Sequence, residues 1–288
     1  MKKVESKFTH KTLCKTLDVK KGTFLNHLYR KVETTQLQQS DEIYKAKLLE
    51  LFYLTEERFG SKKLCAIMKS EGYHCSHKRV MRLMKELNLK CKRAVRANNI
   101  VIPRKSNNPE LKNKLKREFY PSEPNKVWVS DFSQFNVDYT QKYYICIILD
   151  LFSRKVVGFS VANHLRTDLL VHTLDKALDE RKPVLNKLMF HSDQGCQYTD
   201  FGFRSKLHDL HIQQSFSSAG TPYDNAVMEA FFSCLKREQL YVNEINNFDD
   251  LLYHVEYYIN FYNNLRPHQT LKYKTPAQVE KEYADAHS

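Results

Sequence analysis

The fold is decided by the run Val127-Trp-Val-Ser-Asp131-Phe-Ser-Gln-Phe-Asn-Val137. Apolar and aromatic residues dominate it, and such residues favour strands over helices. Two further runs of this kind follow after short connections, at 143–152 and 155–162. Because short connections join neighbouring antiparallel strands, we expect residues 127–162 to form a three-stranded meander.

Beyond residue 162 the pattern alternates between helix and strand. Leu169, Leu170, Leu174 and Leu178 recur at helical spacing, which predicts a helix over 167–179. A strand over 187–191, a helix over 199–207 and a strand over 211–215 follow. Three antiparallel strands and then alternating helices and strands predict an α/β fold, with a five-stranded mixed sheet and flanking helices.

Three carboxylates stand in unusual settings in this region. Asp131 interrupts the first strand, Asp193 ends an apolar run, and Glu229 lies near a helix start 36 positions after Asp193. A carboxylate inside an apolar element is costly unless a metal ion or a proton compensates its charge. Carboxylates from two strands and a helix would form an oxygen-ligand site for a hard divalent cation. They therefore predict metal-dependent phosphoryl chemistry on a polyanion.

The helix of Glu229 also carries a basic residue. Lys236 follows seven residues later, which places the two side chains about 20° apart around the helix axis. The same face thus offers a metal ligand and, two turns on, a cation suited to a phosphate. We expect Asp224 or Asn225 to cap this helix.

The net charge of +13 is concentrated in one stretch. Residues 61–118 hold 17 Lys and Arg but four Asp and Glu, so this stretch accounts for the whole excess. A basic segment beside a near-neutral domain is the footprint expected of a nucleic-acid contact module.

Residues 61–87 show two short helical patterns joined by a turn. We expect Ser61 to cap the first helix and Ser76 the second. The pair fits a DNA-binding helix-turn-helix. The alternative is a helical hairpin that packs against the strand-rich domain, and the sequence does not identify any base to be read. The exposed face of the second helix would present Lys78, Arg79, Arg82 and Lys85.

The composition divides the chain into five segments. Amphipathic helices fill the front, and residues 91–126 resemble a tether with a helix near 110–119. The longest apolar run, 143–149, has strand length and is too short to span a membrane. We assign 1–60 to an N-terminal helical region, 61–97 to the helix-turn-helix module, 98–123 to a basic linker, 124–240 to the core with the three carboxylates, and 241–288 to a C-terminal helical extension.

Six strings resemble the second-frame (OrfB) product of IS3-family insertion-sequence transposases. The similarity covers nearly the whole chain from about residue 40, and the 35 residues between Asp193 and Glu229 are a hallmark of that family. It implies the ribonuclease-H-like fold of retroviral integrases and DDE transposases, preceded by an all-α helix-turn-helix region. The strings are Pro124-Asn-Lys-Val-Trp-Val-Ser-Asp131, Leu149-Asp-Leu-Phe-Ser-Arg-Lys-Val-Val-Gly158, His191-Ser-Asp-Gln-Gly-Cys-Gln-Tyr198, Pro222-Tyr-Asp-Asn-Ala-Val-Met-Glu229, Phe232-Ser-Cys-Leu-Lys-Arg-Glu238 and Tyr262-Asn-Asn-Leu-Arg-Pro-His268.

The resemblance implies a two-metal mechanism for cleavage and strand transfer. Asp131 would bridge two Mg²⁺ ions, Asp193 would complete one site and Glu229 the other, and Mn²⁺ can substitute. Water would first free a 3′-OH at the end of the element, and that 3′-OH would attack a second phosphodiester. Lys236 would position the DNA of the element end.

The resemblance also implies the partners. Double-stranded DNA would be bound as terminal repeats and as target, by a homo-oligomer in the bacterial cytoplasm near the nucleoid. The family's active enzyme is usually a fusion with the upstream-frame (OrfA) product, which leaves open whether this chain acts alone. Two alternatives are a transposase-derived DNA-binding regulator without catalysis and a nuclease of the same fold that never joins DNA. No role is predicted for Arg266-Pro267-His268.

Overall fold

The computed structural model describes residues 9–29, 36–92, 111–137, 141–218 and 221–288. The chain divides into two units, Met1–Glu50 and Leu51–Ser288. The helices described are α1 (His10–Thr16), α2 (Lys21–Tyr29), α3 (Gln36–Leu54), α4 (Ser61–Ser70), α5 (His77–Glu86), α6 (Thr167–Arg181), α7 (Cys196–Thr199), α8 (Phe201–Asp209), α9 (Ala226–Leu235), α10 (Phe248–Asn264) and α11 (Pro276–His287). The strands are β1 (Val127–Asn136), β2 (Lys142–Asp150), β3 (Val156–Ala162), β4 (Met189–Ser192) and β5 (Gln213–Phe216).

The five strands form one mixed sheet in the order β3-β2-β1-β4-β5. The first three strands pair antiparallel, whereas β4 and β5 join parallel to β1. This order confirms the predicted meander and the predicted α/β sheet. Strand ends differ from the sequence prediction by at most two residues.

Both faces of the sheet are covered by helices. Every residue of β2 from Ile145 to Leu149 is fully buried, although alternate residues point to opposite faces. On one face, α6 and α8 pack over a core that includes Trp128, Ile148 and Phe190. On the other face, α9 contacts β1 and α10 contacts β3. The sheet is therefore a rigid, desolvated support for any side chain at its edge.

The close approach of α6 to β3 depends on Gly158. A Cβ atom at this position would lie 2.9 Å from both the Cβ of Ala177 and the carbonyl oxygen of Thr173. Non-bonded carbon atoms prefer separations near 3.5–4.0 Å, so a side chain at residue 158 would force the helix away from the sheet.

The helix pair α4–α5 has the predicted packing but only one of the predicted caps. Ser76 Oγ accepts a hydrogen bond from the main-chain N–H of Arg79 and caps α5. The prediction for Ser61 is wrong, because Gly60 holds the N-cap position and Ser61 is the first helical residue. The Ser61 hydroxyl instead bonds Nε2 of His77 at 2.9 Å, which ties α4 to α5.

The predicted linker contains a segment that packs on the sheet domain. Residues 98–110 lie outside the described residues, and the expected helix near 110–119 is absent over 111–119. Leu111 and Leu115 are buried, and Ser215 Oγ accepts hydrogen bonds from the main-chain N–H groups of Lys114 and Leu115. These bonds attach residues 114 and 115 to β5, so this part of the predicted linker is not a free tether.

Among the helices described, none has the length and apolar character that crossing a bilayer requires.

Candidate active site and DNA-contact surface

Parallel pairing of β1 with β4 brings two of the predicted carboxylates to neighbouring strands. Val129 pairs with His191, the last pair of this ladder. Asp131 and Asp193 each lie two residues further on. Because side chains alternate along a strand, Asp131 continues on the face to which that pair points, and Asp193 follows directly after the end of β4. The sheet register thus sets them next to each other.

Local hydrogen bonds orient each of these aspartates. Asp131 Oδ1 accepts from the main-chain N–H of Phe132 at 2.8 Å, and Asp193 Oδ1 accepts from Gly195 N–H at 2.9 Å. A Cβ on Gly195 would lie 3.0 Å from that Asp193 oxygen. The glycine therefore leaves room for the carboxylate at the end of β4.

Glu229 is exposed in the first turn of α9, where the helix dipole favours negative charge. The predicted cap of this helix is confirmed in position but not in its hydrogen bond. Asn225 holds the N-cap position, but its side chain makes no capping hydrogen bond. The Asp224 carboxylate instead bonds Asn113 at 2.8 Å and Arg117 at 2.7 Å, which fastens the 111–119 segment to the start of α9.

The three carboxylates interact electrostatically. Burial raises the pKa of Asp131 to about 8, and the charges of Asp193 and Glu229 add to that effect, while Lys236 opposes it. Burial also raises the pKa of Asp193. Additional positive charge at this place, from a proton or a cation, is therefore stabilising.

This charge balance fits a hard divalent cation. In the described part of the chain, no three His, Cys, Asp or Glu side chains converge closely enough to hold a metal ion as they stand. However, the donor set at the site is carboxylate oxygen throughout, which is the set that Mg²⁺ prefers. Asp131, Asp193 and Glu229 are the residues that could supply it.

Lys236 lies beside the same site. Its Nζ donates a hydrogen bond to the main-chain oxygen of Gln134 in β1 at 3.0 Å. Burial lowers the pKa of Lys236, and the charge of Asp131 raises it in part. The predicted DNA contact is thus a half-buried cation bonded to Gln134, which lies three residues along β1 from Asp131.

His191 precedes Asp193 by two residues but does not contact its carboxylate. Its Nδ1 bonds Ser215 Oγ at 2.9 Å, and its Nε2 faces the main-chain oxygen of Asp224 at 3.2 Å. Burial lowers the pKa of His191 to about 4. The neutral ring therefore fixes β4 to β5 and to the start of α9.

A buried network at the end of α9 was missed by the sequence prediction. α9 continues as a π-helical segment, Lys236–Leu240. Within it, Glu238 accepts two hydrogen bonds from Arg266, at 2.8 and 2.9 Å. Both residues stand in strings quoted above, but a separation of 28 positions does not indicate contact.

The same segment anchors the α4–α5 pair. Arg58, just before α4, donates from Nε to the main-chain oxygen of Glu238 at 3.2 Å and from Nη2 to Gln239 Oε1. Lys63 Nζ lies 3.6 Å from the Glu238 carboxylate. The α4–α5 pair therefore packs against the sheet domain, as the hairpin alternative supposed.

The basic face of α5 nevertheless stays accessible. Val80, Leu83 and Met84 are buried beneath it. Lys78, Arg82 and Lys85 are exposed and Arg79 is half-buried, while Arg82 pairs with Glu86 at 2.6 Å. The helix thus presents positive charge to solvent while its apolar side is covered.

Known families match the chain in succession. The HTH-like domain matches residues 38–97, the integrase core domain matches residues 121–222, and a second integrase core domain family matches residues 210–276. The fold and site thus define an integrase-core protein that carries a helix-turn-helix-like domain.

Similar proteins identify the family of this chain within that class. InsK of insertion sequence element IS150, from Escherichia coli, is 31% identical over 272 residues, which cover 94% of this chain and 93% of InsK. The transposase for insertion sequence element IS904, from Lactococcus lactis, is 30% identical over 255 residues, which cover 88% of this chain and 99% of the relative. Among solved structures, the trimeric form of the HTLV-2 integrase catalytic core with magnesium has 19% identity and a TM-score of 0.43, covering 55% of this chain and 97% of that one. The chain belongs to the IS3 family of insertion-sequence transposases, as its sequence strings predict.

Proposed function

We propose that this chain is a DDE transposase that cleaves insertion-sequence DNA ends and joins them by direct attack of a 3′-OH on a phosphodiester. One observation carries the proposal. The parallel register of β1 and β4 sets Asp131 beside Asp193, within electrostatic range of Glu229. The integrase core match and the transposase relatives support the same reaction class.

Asp131, Asp193 and Glu229 would hold two Mg²⁺ ions, or Mn²⁺ in their place. When bound, such ions activate the attacking oxygen and stabilise the leaving oxygen of an in-line displacement. The chain itself contributes the rigid placement of the carboxylates. Asp131 sits in mid-strand opposite Ile147, and a fixed carboxylate needs little reorganisation during the reaction.

Two basic elements would bind the DNA. Lys236 would contact a phosphate of the element end close to the three carboxylates. Lys78, Arg79, Arg82 and Lys85 on α5 would contact the duplex farther from the chemistry, with salt-dependent affinity. We further propose that the chain assembles as a homo-oligomer on paired DNA ends, with or without the upstream-frame product.

A strand-transfer assay tests the proposal. The purified chain would be incubated with Mg²⁺ or Mn²⁺ and labelled DNA that carries the element's own ends. Glu229→Gln would run beside the wild-type chain, with Glu244→Gln as the matched control, because Glu244 is an exposed acid outside the site. We expect joined products from the wild type and from the control but not from Glu229→Gln.

Asp131→Asn and Asp193→Asn should also abolish joining, while DNA affinity stays within about twofold because no phosphate-binding cation is removed. Joining by any of the three variants would refute the assigned site. Cleavage without joining would indicate the nuclease. DNA binding without either product, even in the fusion with the upstream-frame product, would indicate the regulator.

A further inference from the structure

Two strings that the proposed function leaves unused meet at one cavity. Arg154 belongs to the string 149–158, and His268 belongs to the string 262–268. A cavity of about 250 Å³ lies between them and one flank of α9. We call it the Arg154 pocket. Its lining includes Phe119, Tyr120, Arg154, Ala230, Tyr262 and His268.

Arg154 brings a buried charge to this pocket. Its side chain is only 5% exposed. Nη2 donates to the main-chain oxygen of Phe119 at 2.8 Å, whereas Nη1 has no hydrogen-bond partner among the described residues. The negative charge of Asp150 raises the pKa of Arg154. However, the Asp150 carboxylate already accepts hydrogen bonds from the main-chain N–H groups of Asn125 and Phe152.

A buried arginine without an ion-pair partner is stabilised by a bound anion. Guanidinium stays protonated in proteins, so it cannot escape burial by losing its proton. Burial lowers the pKa of Arg154, which reflects the cost of desolvating its charge. A buried charge without an ion-pair partner is strongly destabilising, and a bound anion relieves that cost. In the described part of the chain, no carboxylate forms an ion pair with Arg154.

His268 lines the pocket without adding charge. Its side chain is 7% exposed, and Nε2 has no hydrogen-bond partner among the described residues. Burial, followed by the charge of Arg266, lowers the pKa of His268 to about 3, so the ring is neutral. The charge of Arg266 is itself balanced by Glu238. The surplus positive charge of the pocket therefore resides on Arg154.

We propose that the Arg154 pocket is an oxyanion site that takes one phosphate group, bound by the Arg154 guanidinium. The cavity volume of about 250 Å³ is large enough for one phosphate group. Its occupant would lie against α9, the helix that carries Glu229. The phosphate is either free or part of a DNA strand, and only the DNA source depends on the proposed function.

Calorimetric titration of the full chain with inorganic phosphate, in chloride buffer, tests the site. Removing one charge-assisted contact should weaken phosphate binding at least about tenfold in Arg154→Gln. Lys155→Gln is the matched control, because Lys155 is adjacent in sequence and equal in charge but pairs with Glu280 outside the pocket. It should bind phosphate like the wild type.

A second variant separates loss of the site from loss of the fold. Ala230 is exposed on α9 and lines the pocket, so Ala230→Leu should fill the pocket and abolish phosphate binding while far-UV circular dichroism stays unchanged. Absence of phosphate binding in the wild type, or unchanged binding in both Arg154→Gln and Ala230→Leu, would overturn the proposal. Acetate that binds through Arg154 more tightly than phosphate would also overturn it, in favour of a protein carboxylate.

Duplex DNA distinguishes the two phosphate sources. If the phosphate belongs to DNA, Arg154→Gln should lower the slope of log affinity against log salt by about one, and DNA should compete with inorganic phosphate. If the phosphate is free, the variant should lose phosphate binding and keep wild-type DNA affinity. Neither titration requires catalysis. The phosphate site can therefore be confirmed or refuted even if the strand-transfer assay fails.

Discussion

Arg266 holds the carboxylate of Glu238 through two hydrogen bonds, from Nε at 2.8 Å and from Nη2 at 2.9 Å. Both side chains are buried, and the Tyr258 hydroxyl adds a third bond to Glu238 at 2.9 Å. Burial opposes ionisation of Glu238, but the bonds and charge of Arg266 outweigh it, so the pKa falls to about 2. The pair joins the C-terminal helices to the end of α9, which gives Arg266 a structural role.

Breaking this pair from one side should be costly. We expect Glu238→Gln and Arg266→Met each to lower the free energy of unfolding by about 3–5 kcal/mol, because each leaves a buried charge or donor unpaired. The double variant should lose less than the sum of the two. Urea unfolding of all four proteins measures this coupling, and strictly additive losses would contradict it.

His268 should make the protein sensitive to mild acid. Its pKa is about 3 in the folded chain against a usual value of 6.5. The stability that a neutral His268 contributes is fully present at pH values above its usual pKa of 6.5. As pH falls below it, the unfolded chain takes up a proton that the folded chain refuses, so stability falls. Between pH 7 and pH 5 the wild type should lose about 2 kcal/mol more than His268→Asn. Chemical unfolding at both pH values measures the difference, and parallel losses would contradict the assignment of a neutral His268.

Gly158→Ala should destabilise the sheet domain by about 1–3 kcal/mol, because the added methyl overpacks the contact between β3 and α6. Gly22→Ala in α2 is the matched control. A Cβ there meets nothing within 4 Å, so alanine should be neutral or stabilise the helix by up to about 1 kcal/mol. Thermal unfolding compares the two variants, and equal midpoints would show that α6 can move without cost.

Neutralising the face of α5 should weaken DNA binding uniformly across sequences. We expect Lys78→Ala combined with Lys85→Ala to lower the salt slope by about two, one unit for each phosphate contact. Lys62→Ala combined with Lys69→Ala removes equal charge from exposed positions on α4 and should leave the slope unchanged. Fluorescence anisotropy at several salt concentrations provides the measurement. If the α4 control weakens DNA binding equally, the DNA contacts a different face of the α4–α5 pair.

The sequence predicts the sheet well because its signals are local. Alternating and apolar runs mark each strand, and the carboxylates in β1 and after β4 are conspicuous among apolar neighbours. Their adjacency follows once the order of the strands is known, since parallel register then aligns Asp131 with Asp193. The family strings predicted the same placement.

The errors concern side chains whose partners lie far along the chain. Asp224 resembles a helix cap from its neighbours, but Arg117, 107 positions away, binds its carboxylate. Ser61 resembles a cap until His77 bonds its hydroxyl. A short polar residue can satisfy its hydrogen bonds locally or at a distance, and only the folded chain determines which.

The π-helical segment Lys236–Leu240 connects the α4–α5 pair to the neighbourhood of the three carboxylates. One end holds Lys236 against β1, and the other holds Arg58 at the entrance to α4. A shift of either end would break hydrogen bonds of the half-buried Lys236 or of the buried Arg58. The segment therefore acts as a rigid spacer five residues long. Under the proposed function, it would keep the span between the basic face of α5 and Lys236 constant, so the protein and not the DNA would set the length of duplex between these two contacts.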